Sequence, residues 1–211
     1  MLAPTLLLAA PPLLLLADPL PMVLWGLPRT ARIRIGGWLV PRAPLRRTLA
    51  ILTSMPVAWL VSALTVWLWH LPALYDAALE QRFVHDLEHL AFFGAGIIFW
   101  WPIIDPAPRL SGRASLSARV AYVVLAQGQQ ALLGLLLSMS PELLYRGYAA
   151  RVSPSGLTAL EDQARGGLVM WGLGGLVGMA TVLVLLFRLL QQEERMGSPE
   201  RSRLVEPRGQ S

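Results

Sequence analysis

The sequence predicts an all-α membrane protein, a polytopic bundle of about five transmembrane helices with the N-terminus outside and the C-terminus cytoplasmic. Three observations predict it. Of 211 residues, 55% are hydrophobic and only 15% charged, and the mean hydropathy is +0.51, above what a soluble domain carries. The apolar residues fall in runs near membrane-spanning length. The arginines gather in alternate connections between those runs, the pattern that membrane insertion imposes.

Taken in order, residues 2–25 form a Leu-rich first span broken by Pro11-Pro12 and by Asp18-Pro19. No basic residue precedes Leu2, so this stretch lacks the charged start of a signal peptide and is read as retained. Residues 26–47 carry Arg29, Arg32, Arg34, Arg42, Arg46 and Arg47 among prolines and Gly36-Gly37, which marks a cytoplasmic loop or a segment lying on the headgroups. The second span is expected over Leu49–Trp69 and the third over Val84–Ile104, with Trp at their ends as interfacial anchors. A short connection with Arg109 and Arg113 leads to a fourth span, Ala118–Met139. An outer loop, Ser140–Arg165, contains a helix start, and the fifth span is Gly166–Leu190. Residues 1–190 thus make the transmembrane domain, and the polar residues 191–211 are expected to be a disordered cytoplasmic tail.

The net charge of +5 and the basic pI invite a nucleic-acid reading. Topology explains them instead: with the N-terminus outside, only Arg82, Arg146, Arg151 and Arg165 remain on the outer side, so no nucleic-acid partner is expected and the lipid bilayer is. The chain has no Cys, which excludes disulfides, thiolate zinc sites and iron–sulfur clusters. A soft-metal site must then use Met and His.

All three histidines, His70, His85 and His89, lie between Trp67 and Pro102, and this topology puts them in one leaflet. His85 and His89 stand four apart, so a helix places them on one face about 6 Å apart along its axis, a spacing at which two imidazoles reach one metal. His70 is a candidate third ligand. Met139 and Met170, at the outer ends of the fourth and fifth spans, are candidate thioether ligands that would complete a Cu(I) site, although such residues more often fill core gaps. Glu88, Asp76 and Asp162 are candidates to orient a ligand ring from behind, with a helix cap as the plainer role of Asp76. Gln127, Gln129 and Gln130 predict hydrogen bonds between helices, and the glycines of the fifth span predict close packing.

Other classes fit parts of this pattern. His85-Asp86-Leu87-Glu88-His89 matches H-x-x-E-H, an intramembrane zinc metalloprotease motif that needs a further ligand such as Glu142 or Glu161. A single-haem b-type cytochrome would use His70 with His85 or His89. A transporter would draw on the interrupted first span, without an internal repeat to strengthen it.

WHLPALYDAAL (69–79), HDLEHLAFFGAGIIFWWP (85–102), SPELLYRGYA (140–149) and DQARGGLVMW (162–171) resemble the CtaG-type cytochrome c oxidase assembly factors of bacterial membranes. The resemblance runs from the Pro-Pro-Leu-Leu-Leu-Leu of the first span to the fifth. It implies a non-enzymatic protein of the bacterial plasma membrane that helps mature haem–copper oxidase by handling copper. It also implies His70, His85 and His89 as ligands, oxidase subunits as partners and an extracytoplasmic copper donor. The sequence departs from the family pattern at its start, where members usually carry further spans and an H-M-x-Q-H-like motif upstream of the Pro-Pro run. Either a start upstream of Met1 or a member working without those ligands is expected.

Overall fold

The computed structural model describes residues 10–17, 19–40, 42–110, 112, 114–145, 147 and 156–204, and among these every regular element is helical. Pro11 opens α1 (Pro11–Leu16), the position where its missing N–H costs nothing. The chain breaks at Ala17 and restarts at α2 (Pro19–Gly26), so the interrupted first span becomes two short helices. Leu2–Ala9 and Asp18 of that span lie outside the described residues. Leu15 is buried against Trp100 and Ile103, which seats α1 on the third span.

The Arg-rich stretch settles as two short helices, α3 (Arg29–Trp38) and α4 (Pro44–Leu52), neither of which buries a residue. The expected second span, Leu49–Trp69, is split between the end of α4 and α5 (Met55–Trp69), because Pro56 lacks the N–H that would continue α4. The two helices meet at a 68° bend. The hydroxyls of Thr53 and Ser54 at that bend donate back to the carbonyls of Leu49 and Ile51.

After His70, α6 (Pro72–Glu80) packs on α7 (Arg82–Ile104). Pro102 sits in the last turn of α7, and Asp105 ends it in the left-handed region at φ 56°, with its N–H donated to the carbonyl of Trp101. α8 (Leu116–Met139) starts at Ser115, whose hydroxyl accepts from the Ala118 N–H at 3.2 Å. α9 (Ala159–Leu204) opens with a reciprocal cap: Thr158 accepts from the Glu161 N–H, and the Glu161 carboxylate accepts from the Thr158 N–H at 2.9 Å.

Three helices, α7, α8 and α9, are long and apolar enough to cross a membrane, and the bent pair α4–α5 makes up to four among the described residues. The fold is all-helical, as expected. At 46 residues α9 is about 69 Å long, twice a bilayer's hydrocarbon thickness. Its helix persists through Leu204, where a disordered tail from residue 191 was expected. The sequence Gln191-Gln192-Glu193-Glu194-Arg195 consists of strong helix formers, so the helix need not stop where the apolar run does. Residues 205–211 lie outside the described part.

α8 and α9 form the most intimate pair, and glycines let them close. A Cβ on Gly167 would come within 2.6 Å of the Gly134 carbonyl, and one on Gly174 would meet the Gln130 amide. Gln127 donates to the Gly174 carbonyl at 2.9 Å, and Gln129 accepts from the Trp67 indole at 2.8 Å, so the expected glutamine bonds between helices are present. Two clusters make the core. One lies at the Arg-bearing end around Trp100, Ile103, Tyr122 and Leu185; the other lies at the histidine end around Val66, Phe92, Leu137, Tyr145 and Met170. At the first end Arg46 donates to the carbonyl of Arg109 at 2.8 Å, which joins the two Arg-bearing connections on one side of the bundle.

Candidate metal centre

The first turns of α7 carry His85, Glu88 and His89 at i, i+3 and i+4, the offsets that put three side chains on one helix face. Each offers a donor atom, and these atoms all lie within 4.8 Å of one another. The His85 Nδ1 stands 3.5 Å from the Glu88 Oε2, and the two imidazole rings lie tilted at 51° to each other with centroids 4.2 Å apart. Their exposures are graded. The His85 side chain is 48% exposed, His89 is half-buried and Glu88 is buried at 6%. The His89 Nε2 is buried without a hydrogen-bond partner. An unpaired polar nitrogen costs free energy unless a ligand completes it. That orphaned nitrogen, beside a second imidazole and a buried carboxylate, fits a borderline transition-metal ion.

His70 stands apart from this cluster. It ends α5, and its Nδ1 donates to the Val66 carbonyl at 2.7 Å, which leaves Nε2 as the atom with a free lone pair. Its ring packs edge-on against Phe92, one helical turn farther along α7 than His89. Burial holds the His70 imidazole below its ordinary pKa. Burial keeps the ring neutral, the form that binds metal, against the opposing pull of the Val66 carbonyl, which favours the protonated ring.

The segment that follows α8 straps this region down. Tyr145 is buried, its hydroxyl donates to the His70 carbonyl at 3.1 Å, and its ring lies 4.0 Å from that of Tyr75. Burial and then the Asp76 charge push the Tyr145 phenol well above its usual range, so it stays a donor. Asp76 sits inside α6 and accepts from the Gly147 N–H at 3.2 Å, whereas a helix cap was the plainer expectation; the cap position belongs to Leu71. Gln163, only 3% exposed, accepts from the Leu144 N–H and donates toward the Glu142 and Leu137 carbonyls. Asp162 is half-buried on α9 and does not join the donor cluster.

The methionines take other places. Met139 is 77% exposed at the end of α8, and Met170 is packed with Phe92 and Tyr145. Glu142 and Glu161 also stand outside the cluster, and the Glu161 carboxylate is occupied by Thr158. Tyr145 is the contact that sequence reasoning missed. Its residue lies within the motif SPELLYRGYA, but nothing in that string says which carbonyl it will reach.

A family model described as cytochrome c oxidase caa3 assembly factor (Caa3_CtaG) matches residues 3–192. The uncharacterised proteins Mb0105 of Mycobacterium bovis and MT0111 of Mycobacterium tuberculosis are each 26% identical over 203 residues. Those alignments take in 95% of this chain and 30% of the relatives, so the chain spans about 30% of the length of the curated relatives it matches. No solved structure matches.

Proposed function

Since the chain belongs to the cytochrome c oxidase caa3 assembly factor family, we propose that it assists oxidase maturation by holding copper on His85 and His89, with Glu88 beside them and His70 as the next imidazole inward. Copper is cargo here, and the role is non-enzymatic. The observations that carry the reading are the two-imidazole, one-carboxylate group of His85, Glu88 and His89 and the buried, partnerless Nε2 of His89. His85 is exposed enough to receive an ion from an extracytoplasmic donor, and His70 is half-buried and held neutral. Transfer along such a series needs only ligand exchange, ending on an oxidase subunit docked in the same bacterial plasma membrane.

The protease reading draws less support. Its motif needs Glu88 free as a base and a further protein ligand, and among the described residues no other carboxylate joins the group.

The test is the metal content of detergent-purified protein beside His85→Ala and His89→Ala, with an absorption spectrum of each sample. The expected outcome is one copper per chain in the wild type and a loss of about tenfold or more in affinity in both variants. Stoichiometric zinc would favour the protease and a Soret band the cytochrome. A folded wild type that takes up no metal would overturn the ligand set.

A further inference from the structure

Resting on the copper reading above, we propose that Glu88 coordinates the metal itself and thereby makes this a site for divalent copper. Cu(I) was expected on imidazoles with a thioether to complete the site; Met139 is exposed at the end of α8, and Met170 is packed with Phe92 and Tyr145. With no Cys in the chain, the donors that do converge are two imidazoles and one carboxylate. Nitrogen and oxygen donors suit Cu(II), whereas Cu(I) selects soft sulfur.

Distance decides between coordinating and orienting roles for Glu88. A carboxylate that orients an imidazole accepts its N–H at roughly 2.7–3.2 Å. The Glu88 Oε2 stands 3.5 Å from the His85 Nδ1. Two donors sharing one metal at bond lengths near 2.0–2.1 Å and tetrahedral angles are roughly 3.4 Å apart, a separation the 3.5 Å gap matches. Burial points the same way, because an ionised carboxylate this enclosed is stabilised by a cation at its oxygens. All three ligands come from little more than one helical turn, so they cover one side of the ion. The open positions would face an incoming donor or acceptor ligand.

The experiment compares wild type, Glu88→Gln and His89→Ala as full chains in detergent. Each is titrated with glycine-buffered Cu(II) in air and with Cu(I) against a chromogenic chelator without oxygen, and Cu(II) electron paramagnetic resonance spectra are recorded. Glu88→Gln is expected to weaken Cu(II) by about a hundredfold and Cu(I) by no more than about threefold. That difference raises the Cu(II)/Cu(I) potential by about 59 mV for each tenfold between the two effects. The Cu(II) spectrum should also change, as an oxygen ligand is lost. Infrared difference spectra of the wild type, with and without Cu(II), give a readout that does not depend on the variant folding, and a shift of a carboxylate stretch is expected.

Equal weakening of both oxidation states, or an unchanged spectrum in Glu88→Gln, would overturn the proposal and leave Glu88 as an orienting group. Wild type that binds copper through His89 yet shows no carboxylate shift overturns this inference alone. Wild type that binds copper in neither state overturns the copper site as well.

Discussion

At the scale of single residues, the site depends on which atoms are already taken. His70 has committed Nδ1 to a backbone carbonyl, and Tyr145 has taken the His70 carbonyl, so its ring is held in orientation and tautomer before any ion arrives. The ring's depressed pKa has a measurable sign. In the unfolded chain His70 takes a proton near its ordinary value of 6.5, and in the folded chain burial delays this to lower pH. Between the two values the unfolded state binds more protons, so stability rises with pH there. The contribution of neutral His70 is intact above its unfolded pKa and is lost as pH falls toward the folded one. Metal-free protein should therefore show a thermal midpoint that falls as pH drops below about 6.5, and His70→Gln should flatten that slope. An identical slope in the variant would mean another group carries it. The i, i+4 pair of His85 and His89 was legible in the sequence because helical spacing is local. That the Glu88 carboxylate turns toward the imidazoles was not, since a carboxylate at i+3 can equally point away to solvent.

At the scale of elements, the helix boundaries follow from chemistry within a few residues. Pro56 ends the run that hydropathy alone would carry back to Leu49, and the Thr158–Glu161 cap sets the start of α9 seven residues before the expected Gly166. Helix pairing is less local, and the glycines of α9 separate the two. A Cβ on Gly167 would stand 2.5 Å from the Ser138 hydroxyl and 2.6 Å from the Gly134 carbonyl, whereas one on Gly172 meets nothing within 4 Å. Gly167→Ala should destabilise the α8–α9 pair by about 1–3 kcal/mol, because backbone cannot move aside. Gly172→Ala should leave stability unchanged or raise it by up to about 1 kcal/mol through helix propensity. Unfolding of both variants in detergent checks the contrast, and equal losses would show that α9 packs through another face. In sequence the two glycines look alike; only the rotation of α9 against α8 tells them apart.

At the scale of the whole molecule, the bundle separates an arginine-bearing end from a histidine-bearing end. Arg46 ties the first Arg connection to the second at one end, while the segment that follows α8 closes over His70 at the other. Most of α9's apolar surface remains exposed, with Leu168, Leu176, Leu183 and Leu190 facing outward, as lipid-covered residues do. The absence of Cys makes sidedness easy to measure. Gly112→Cys should react with an impermeant thiol reagent only from the cytoplasmic side, and Glu142→Cys only from the outside. Reaction of both from one side would overturn the expected topology. Composition, the spacing of apolar runs and the placement of arginines determined by themselves that this is a helical membrane protein, because the bilayer imposes length and charge rules on local sequence. They also placed two histidines on one helix face, since that needs only the helical repeat. Tertiary structure alone decided that His70 stands one turn from the donor cluster, that Met170 is core and Met139 surface, and that Tyr145 reaches back to the His70 carbonyl. Those outcomes depend on how helices far apart in sequence rotate and settle against one another, a sum of many weak contacts that no short stretch of sequence contains.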